Sequence, residues 1–525
     1  MWQLRQTERH PAADKPRVLV LCRARAEAAA DVRGNGNGDP NVAVGNYQVG
    51  ADVRRQQAGS RIRGLSVSEA REMRSAAAVS RRLRRRRLHG RLPKVHDAVM
   101  RPGYTRGIRP GRAVRLVKLS LALLLAAVQT AEAQQEPLWR TIAECPVPAR
   151  SRGALSCQGI APLLDKFVAT TPEILLPMTK DKAALVAKLI KAYELGPREF
   201  VWRGQVGSKG TVTITVRNRA FSAELMTDDR ELFRARISKG TGFILEQLDR
   251  TAPLGDETDT CPPLDDLTKP AAEQACDADR GDTVDVLVLY TPAVRNALAQ
   301  PPDTGDDQVI SDVRNAIDIA NAAFTASGIT MSLNVVGVLP TEYAGDAELA
   351  CKTWVALRDG VDPEMARIRR LRREHKADIV VLLVDKPSLG GYVGFTMQAQ
   401  HVGHPESFAG QAFAVVNYQK ISGPTYGIAH EIGHLMGAEH DITEGRRGAF
   451  TFSAGFVRPT QFRSPGWRTI MAGPNQCGTC IAEPFWSTPR IPAPNGEGAS
   501  SGLEDNVQTL QNTRVTAARF MCSTP

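Results

Sequence analysis

Histidine is scarce in this sequence, nine in 525 residues, so any cluster of them carries information. A uniform charge is lacking too. The formal net charge of +11 invites a nucleic-acid partner, yet residues 1–133 hold 27 Lys and Arg against 10 Asp and Glu, while 134–525 hold 40 against 46. A basic leader precedes an acidic body, which excludes nucleic acid as the partner of the body. The leader's apolar stretch, Leu119 to Val128 with a single Ser120, falls well short of the roughly 20 residues that span a bilayer. No stable membrane anchor is expected from it. With 42% hydrophobic and 23% charged residues, the chain has a globular rather than a disordered composition. The body is long enough for two domains with cores of their own.

What the leader does contain is ordered. Arg112, Arg115 and Lys118 precede the apolar stretch, and Ala131-Glu132-Ala133 follows it. A positive segment, an apolar core and an A-x-A site make residues 112–133 read as a signal peptide. Residues 1–111 are Arg-rich, with Arg81, Arg82 and Arg84 to Arg87 in one run. They read as a disordered leader, and translation is expected to start near Met100. Export agrees with the cysteines. Eight follow the signal: Cys145, Cys157, Cys261, Cys276, Cys351, Cys477, Cys480 and Cys522. An even number in an exported chain predicts disulfides. Cys145 with Cys157 and Cys261 with Cys276 are near neighbours and plausible pairs. The other four allow three connectivities. Cys477-Gly-Thr-Cys480 has no second pair beside it, so a bridge suits it better than a zinc or redox site.

Residues 134–282 carry Pro-rich spacers, an amphipathic run from Lys182 to Tyr193, and then short β-type runs between about 197 and 250. Gly207-Ser208-Lys209-Gly210 and Gly240-Thr241-Gly242 divide those runs, which predicts a small antiparallel sheet or barrel. Residues 251–282 show no periodicity and read as a linker. Beyond it, Val284 to Tyr290, Ile329 to Val338, Ile379 to Val384 and Phe413 to Tyr418 read as strands. Val309, Val313, Ala316, Ile317, Ala320 and Phe324 repeat at helical spacing, and 353–375 reads as a helix with a basic, solvated face. Strands alternating with helices imply an α/β unit over 283–525, its twisted sheet mostly parallel and covered by helices.

The chemistry is concentrated in His430-Glu431-Ile432-Gly433-His434-Leu435-Met436-Gly437-Ala438-Glu439-His440-Asp441. On a helix, His430 and His434 project from one face, one turn apart. Two imidazoles so placed can grip one Zn2+. Glu431 lies beside them, free to hold a water without ligating the metal. A catalytic zinc needs a third protein ligand and an open position. Gly437 can turn the chain out of the helix and bring His440 back to the same ion. His401 and His404, three apart in a Gly/Pro loop, offer a second metal site or a plain surface loop, and the loop fits better without carboxylate or cysteine neighbours.

His430 through Asp441 resembles the metzincin zinc-peptidase pattern H-E-x-x-H-x-x-G-x-x-H, and the trailing Asp441 is common in its reprolysin-like (adamalysin) branch. Trp467-Arg468-Thr469-Ile470-Met471-Ala472 looks like that clan's Met-turn. Val284 to Pro292, Asn321 to Val338 and Glu504 to Leu510 look like secreted bacterial members related to peptidyl-Asp metalloendopeptidase. The resemblance covers about 283–522. It implies a metzincin-like catalytic domain with a zinc-binding active-site helix and Met471 beneath the metal, a floor rather than a ligand. It also implies Gly437 and Asp441 as supports of the site. Gly473 stands where many relatives place a tyrosine. A structural Ca2+, known in reprolysin-like members, is neither supported nor excluded by the residues here.

Such a domain implies hydrolysis of protein or peptide substrates. Zinc supplies a Lewis acid and an activated water, and Glu431 serves as general base and then proton donor. The substrate is expected to pair with Phe413 to Tyr418 as an edge strand. The β-rich segment before the domain reads as a propeptide and the whole as a zymogen. Cys261 or Cys276 would either send a thiolate to the zinc or pair with the other. The alternative is a non-catalytic zinc-containing adhesin or binding module on the same scaffold, which would need the histidines but not Glu431. The sequence leaves the oligomeric state, the cleavage preference and the activating agent open.

Overall fold

The computed structural model describes residues 137–145, 153–238, 241–251, 281–300, 305–444, 448–460, 466–473 and 480–521. The leader, the signal-like segment 112–133, Cys261, Cys276, Cys477 and Cys522 lie outside them. Among the described residues, no helix is long and apolar enough to cross a membrane.

Nine strands form the first architecture: β1 Trp139–Glu144, β2 Ala154–Pro162, β3 Glu173–Leu176, β4 Leu185–Gly196, β5 Glu199–Val206, β6 Gly210–Arg217, β7 Ala220–Met226, β8 Leu232–Ser238 and β9 Gly242–Leu248. Their order is β1-β2-β9-β8-β7-β6-β5-β4-β3, and neighbours run antiparallel. The sheet curls until its outer strands meet, where Leu138 N–H donates to the Leu175 carbonyl at 2.9 Å and Pro137 bridges Leu175. The result is a barrel packed with Trp139, Trp202, Phe221 and Phe233. The Trp139 and Trp202 indole N–H groups donate to the carbonyls of Pro177 and Thr171 at 2.7 and 2.9 Å, as buried tryptophans require. The sheet is thus wider than the expected runs from about 197. The amphipathic run at 182–193 lies largely in β4, a strand register-paired with β5. Cys145 and Cys157 form the expected disulfide, and Cys351 and Cys480 are disulfide-bonded as well.

The second architecture is a five-stranded sheet of β10 Thr283–Tyr290, β11 Ser332–Pro340, β12 Ile379–Val384, β13 Gly391–Tyr392 and β14 Phe413–Asn417, ordered β11-β10-β12-β14-β13. The first three pairings are parallel and β13 joins β14 antiparallel. The mostly parallel expectation therefore holds. Side chains alternate between two cores. Val284, Val286 and Val288 face one with α1 Pro292–Leu298, α2 Asp306–Ala326, α5 Gly427–Leu435 and α6 Asn506–Ala517. Leu287 and Leu289 face the other with α3 Ala350–Asp359 and α4 Pro363–Glu374. Helices on both faces explain why these strands read as unbroken apolar runs.

Two expectations need correction. The helix expected over 353–375 is two. Gly360 takes a left-handed φ of 64° and ends α3, and Asp362 and Pro363 start α4, with the Asp362 carboxylate accepting the Met365 N–H. Its basic face is not wholly solvated, because Arg372 is fully buried. That guanidinium donates to the carbonyls of Ala377, Ala409 and Asp378 at 3.1, 2.7 and 2.6 Å. Phe413 to Tyr418 is also not an edge strand. β14 lies between β12 and β13, with Gly391 opposite Val416 and Tyr392 opposite Val415. The edge belongs to β13, a two-residue strand too short to show a periodicity in sequence.

Candidate metal centre

Helix α5 begins at Tyr426, whose backbone is left-handed (φ 54°), and carries His430, Glu431 and His434. It ends in a Schellman motif. Ala438 N–H donates to Gly433 O and Gly437 N–H to His434 O, both at 2.9 Å, with Gly437 at φ 85°. A Cβ at Gly437 would come 2.5 Å from the Ala449 Cβ and 3.1 Å from the Met397 carbonyl. The chain can double back there only as glycine. The reversal brings His440 Nε2 to 3.1 Å from His430 Nε2 and 3.0 Å from His434 Nε2.

Two of the other ring nitrogens point away toward fixed carbonyls. His430 Nδ1 lies 3.0 Å from the Ile470 carbonyl and His434 Nδ1 3.1 Å from that of Ala438. If each donates there, each Nε2 presents its lone pair inward. Three lone pairs about 3 Å apart repel one another unless a cation lies between them. Two nitrogens each about 2.0–2.1 Å from one tetrahedral Zn2+ stand roughly 3.3 Å apart, so the constellation fits that ion. Among the described residues it is the group of His, Cys, Asp and Glu that could hold a metal. His401 and His404 do not converge. His401 Nδ1 accepts the Gln398 N–H at 3.1 Å, and His404 faces Glu406 at 3.4 Å.

Other residues reach the site in ways the motif did not reveal. Glu439 is buried and stands 3.7 Å from Nδ1 of both His434 and His440. It accepts the His440 N–H at 3.0 Å and the Thr396 hydroxyl at 2.9 Å. A carboxylate behind metal-ligating histidines orients the rings and raises their basicity. Its sequence signal was an acid directly before the third histidine. Glu431 is buried, and its carboxylate lies against Gly391 of β13, where an added Cβ would meet Oε1 at 2.2 Å. No local pattern links residues forty apart in the chain. Met471 is fully buried, with its sulfur against the helix at Gly433, 2.7 Å from where a Cβ there would stand. Asp441 is bridged to Gly455 and accepts the N–H of Thr443 at 3.1 Å and its hydroxyl. It thereby fixes the turn that follows His440.

Residues 280–481 match the family described as Metallo-peptidase family M12, Reprolysin_5. A relative from Stenotrophomonas maltophilia (strain K279a), named peptidyl-Asp metalloendopeptidase, is 31% identical over 239 residues, 45% of this chain and 52% of the relative. A relative of the same name from strain R551-3 is 27% identical over 442 residues, 77% of this chain and 98% of the relative. One from Xanthomonas campestris pv. campestris is 27% identical over 437 residues, 76% of this chain and 97% of the relative. The chain thus spans about half of the first relative and nearly all of the other two. The longer matches exceed the length of 281–525 and so take in part of the segment before it. The segment 280–481, which holds the convergent histidines, is thus similar to reprolysin-like metallopeptidases of family M12.

Proposed function

We propose that the chain is an exported zinc-dependent endopeptidase, made with an N-terminal barrel that precedes its catalytic unit. The observation that carries this is the meeting of His430, His434 and His440 through Nε2 within about 3 Å while Nδ1 of His430 and of His434 faces a backbone carbonyl. These three residues would hold the zinc, which supplies Lewis-acid chemistry and an activated water when bound. Glu431 takes a proton from the attacking water and returns it to the leaving amine. Glu439, which accepts the His440 N–H and the Thr396 hydroxyl, holds the backbone of His440 in place. Met471 packs beneath Gly433 and donates nothing.

The substrate's path follows from the sheet. β13 is the edge strand beside β14, and Gly391 in it lies against the Glu431 carboxylate. A peptide extended along that edge would pair with its backbone and pass beside the general base. The relatives' name suggests bonds next to aspartate as the first substrates to assay. Export is supported by the signal-like order of 112–133 and by the disulfide of Cys145 with Cys157. The barrel's place before the catalytic unit supports the zymogen reading. A non-catalytic binding module would have no use for a Glu431 kept buried against the edge strand. The test is cleavage of casein and of Asp-containing peptides, with and without a chelator, beside Glu431→Gln. That variant should bind zinc and lose activity. Undiminished cleavage by it, or by the chelated protein, overturns the reading.

A further inference from the structure

The barrel docks on the catalytic unit over a broad polar face. Helix α2 lies along β6 and β7. Its Gln308, Ser311 and Asn315 donate to the carbonyls of Phe221, Thr215 and Thr213 at 2.9, 2.9 and 3.0 Å. The charges are complementary. Arg203 and Arg217 of the barrel face Asp318 and Asp307 of α2 at 3.2 and 2.7 Å, and the Tyr193 hydroxyl donates to Asp318 at 2.7 Å.

Beside this face, three barrel residues reach the backbone that supports the metal centre. Glu224, buried between the units, accepts the Gly423 N–H at 3.2 Å and a hydrogen bond from Ser422. Three residues further on, Tyr426 holds its left-handed backbone, a costly conformation for a bulky residue that persists only where surroundings enforce it. Its carbonyl accepts the His430 N–H at 2.9 Å. Its buried hydroxyl has no hydrogen-bond partner among the described residues, and Glu224, Arg230 and Arg250 surround it. The second route runs through Glu483. Arg230 Nε donates to it at 2.9 Å and Arg250 pairs with it at 3.0 Å, while Arg250 also bonds the Ala482 carbonyl. Glu483 N–H donates to Arg468 O at 2.9 Å and Ile470 N–H to Phe485 O at 3.0 Å. The Ile470 carbonyl is the one that meets His430 Nδ1 at 3.0 Å.

Both routes end on His430. We infer that the barrel is a positioning partner of the metal centre: Glu224, Arg230 and Arg250 fix segments 422–426 and 482–485, and through them the place and tautomer of His430. The barrel is thus more than a cover to be discarded. Loosening its grip slackens the first turn of α5 and weakens metal binding with every ligand still present. This rests on the metal-centre reading above, and two readouts separate the two.

The test uses the full chain with Glu224→Gln, Arg230→Met and Arg230→Lys, and with Lys188→Ala as a barrel variant remote from the interface. Zinc affinity is measured by competition with a chromophoric chelator, and amide hydrogen exchange is followed across 427–435. Glu224→Gln and Arg230→Met should each weaken zinc roughly 10-fold, the low end for losing an outer-shell partner. They should also speed exchange in the first turn of α5 by a similar factor. Arg230→Lys should recover most of both, and Lys188→Ala should match the wild type. Should Arg230→Met fail to fold, the nearly isosteric Glu224→Gln decides alone. Wild-type zinc affinity and exchange in the folded variants would overturn the inference. A wild-type chain that bound no zinc would instead sink the metal reading, and the exchange comparison would still decide this one.

Discussion

Gly391 offers a sharp test of the catalytic assignment, because the three atoms nearest a Cβ built there all belong to Glu431. Replacing it by alanine puts a Cβ 2.2 Å from Glu431 Oε1 and 2.6 Å from Cδ and Cγ. Carbon and oxygen tolerate roughly 3.5 Å, so the carboxylate must retreat by about 1 Å or more. The fold should scarcely register this. Gly391 is not at positive φ, and what moves is the end of a flexible side chain, at about 0.5–1.5 kcal/mol if χ leaves its rotamer. Catalysis should register it strongly. A displacement of 1 Å at a reacting group costs about 100-fold, within the roughly 100- to 10,000-fold a general base contributes. Gly391→Ala should therefore lose about two orders of magnitude in kcat/KM on a fluorogenic peptide. Its zinc affinity should stay within about twofold of wild type, and its thermal melt within a few degrees. Glu431→Gln marks the floor of the assay. Full activity in Gly391→Ala would refute the role of Glu431 or the position of β13. Loss of zinc along with activity would show that the two residues belong to the metal's support.

Other perturbations separate fold from site. Gly437→Ala imposes left-handed strain of about 1–2 kcal/mol and drives a methyl into Ala449; chelator competition should find zinc binding weakened at least as clearly as thermal stability. The double variant Cys145→Ala, Cys157→Ala removes a loop closure of 12 residues and should cost roughly 3 kcal/mol in urea unfolding, with zinc affinity unchanged. Asp378 accepts the N–H groups of Asp285 and Met521 at 2.9 and 3.1 Å, and burial pushes its carboxyl up to about 8 from 3.8. The folded state then holds a proton that the unfolded chain releases, so stability is full below about pH 4 and falls as pH rises toward 8. The loss is at most about 6 kcal/mol. Urea unfolding at pH 5 and pH 9 should show this fall in the wild type and a shallower one in Asp378→Asn; equal slopes would contradict it.

The three converging histidines were legible because they sit within eleven residues, and helix geometry plus one glycine fixes how they meet. The parallel sheet was legible too, since strands buried on both faces announce themselves as apolar runs. β4 was obscured. It is largely exposed or half-buried, and Lys188, Lys191 and Glu194 recur every three residues like the polar face of a helix. Pairing with β5, not its own pattern, makes it a strand. Arg372 sat in a basic run whose solvated reading suits Arg370, while Arg372 itself is buried against the carbonyls of Ala377 and Asp378 just beyond the helix and of Ala409 much later in the chain. Gly391 and Glu439 act only through the folded chain. The interface between the barrel and α2 was invisible for the same reason. Its polar residues, Gln308, Ser311 and Asn315, look in sequence like the wet side of a helix.

The claim beneath all of this is that three imidazoles share one ion. Calorimetric titration of the metal-stripped chain with Zn2+, alongside His434→Ala and His440→Ala, addresses it directly. The geometry predicts one tight site per chain, abolished or weakened by orders of magnitude in either variant and untouched in Glu431→Gln. A wild-type chain that took up no zinc, or variants that bound it as tightly as the wild type, would contradict it.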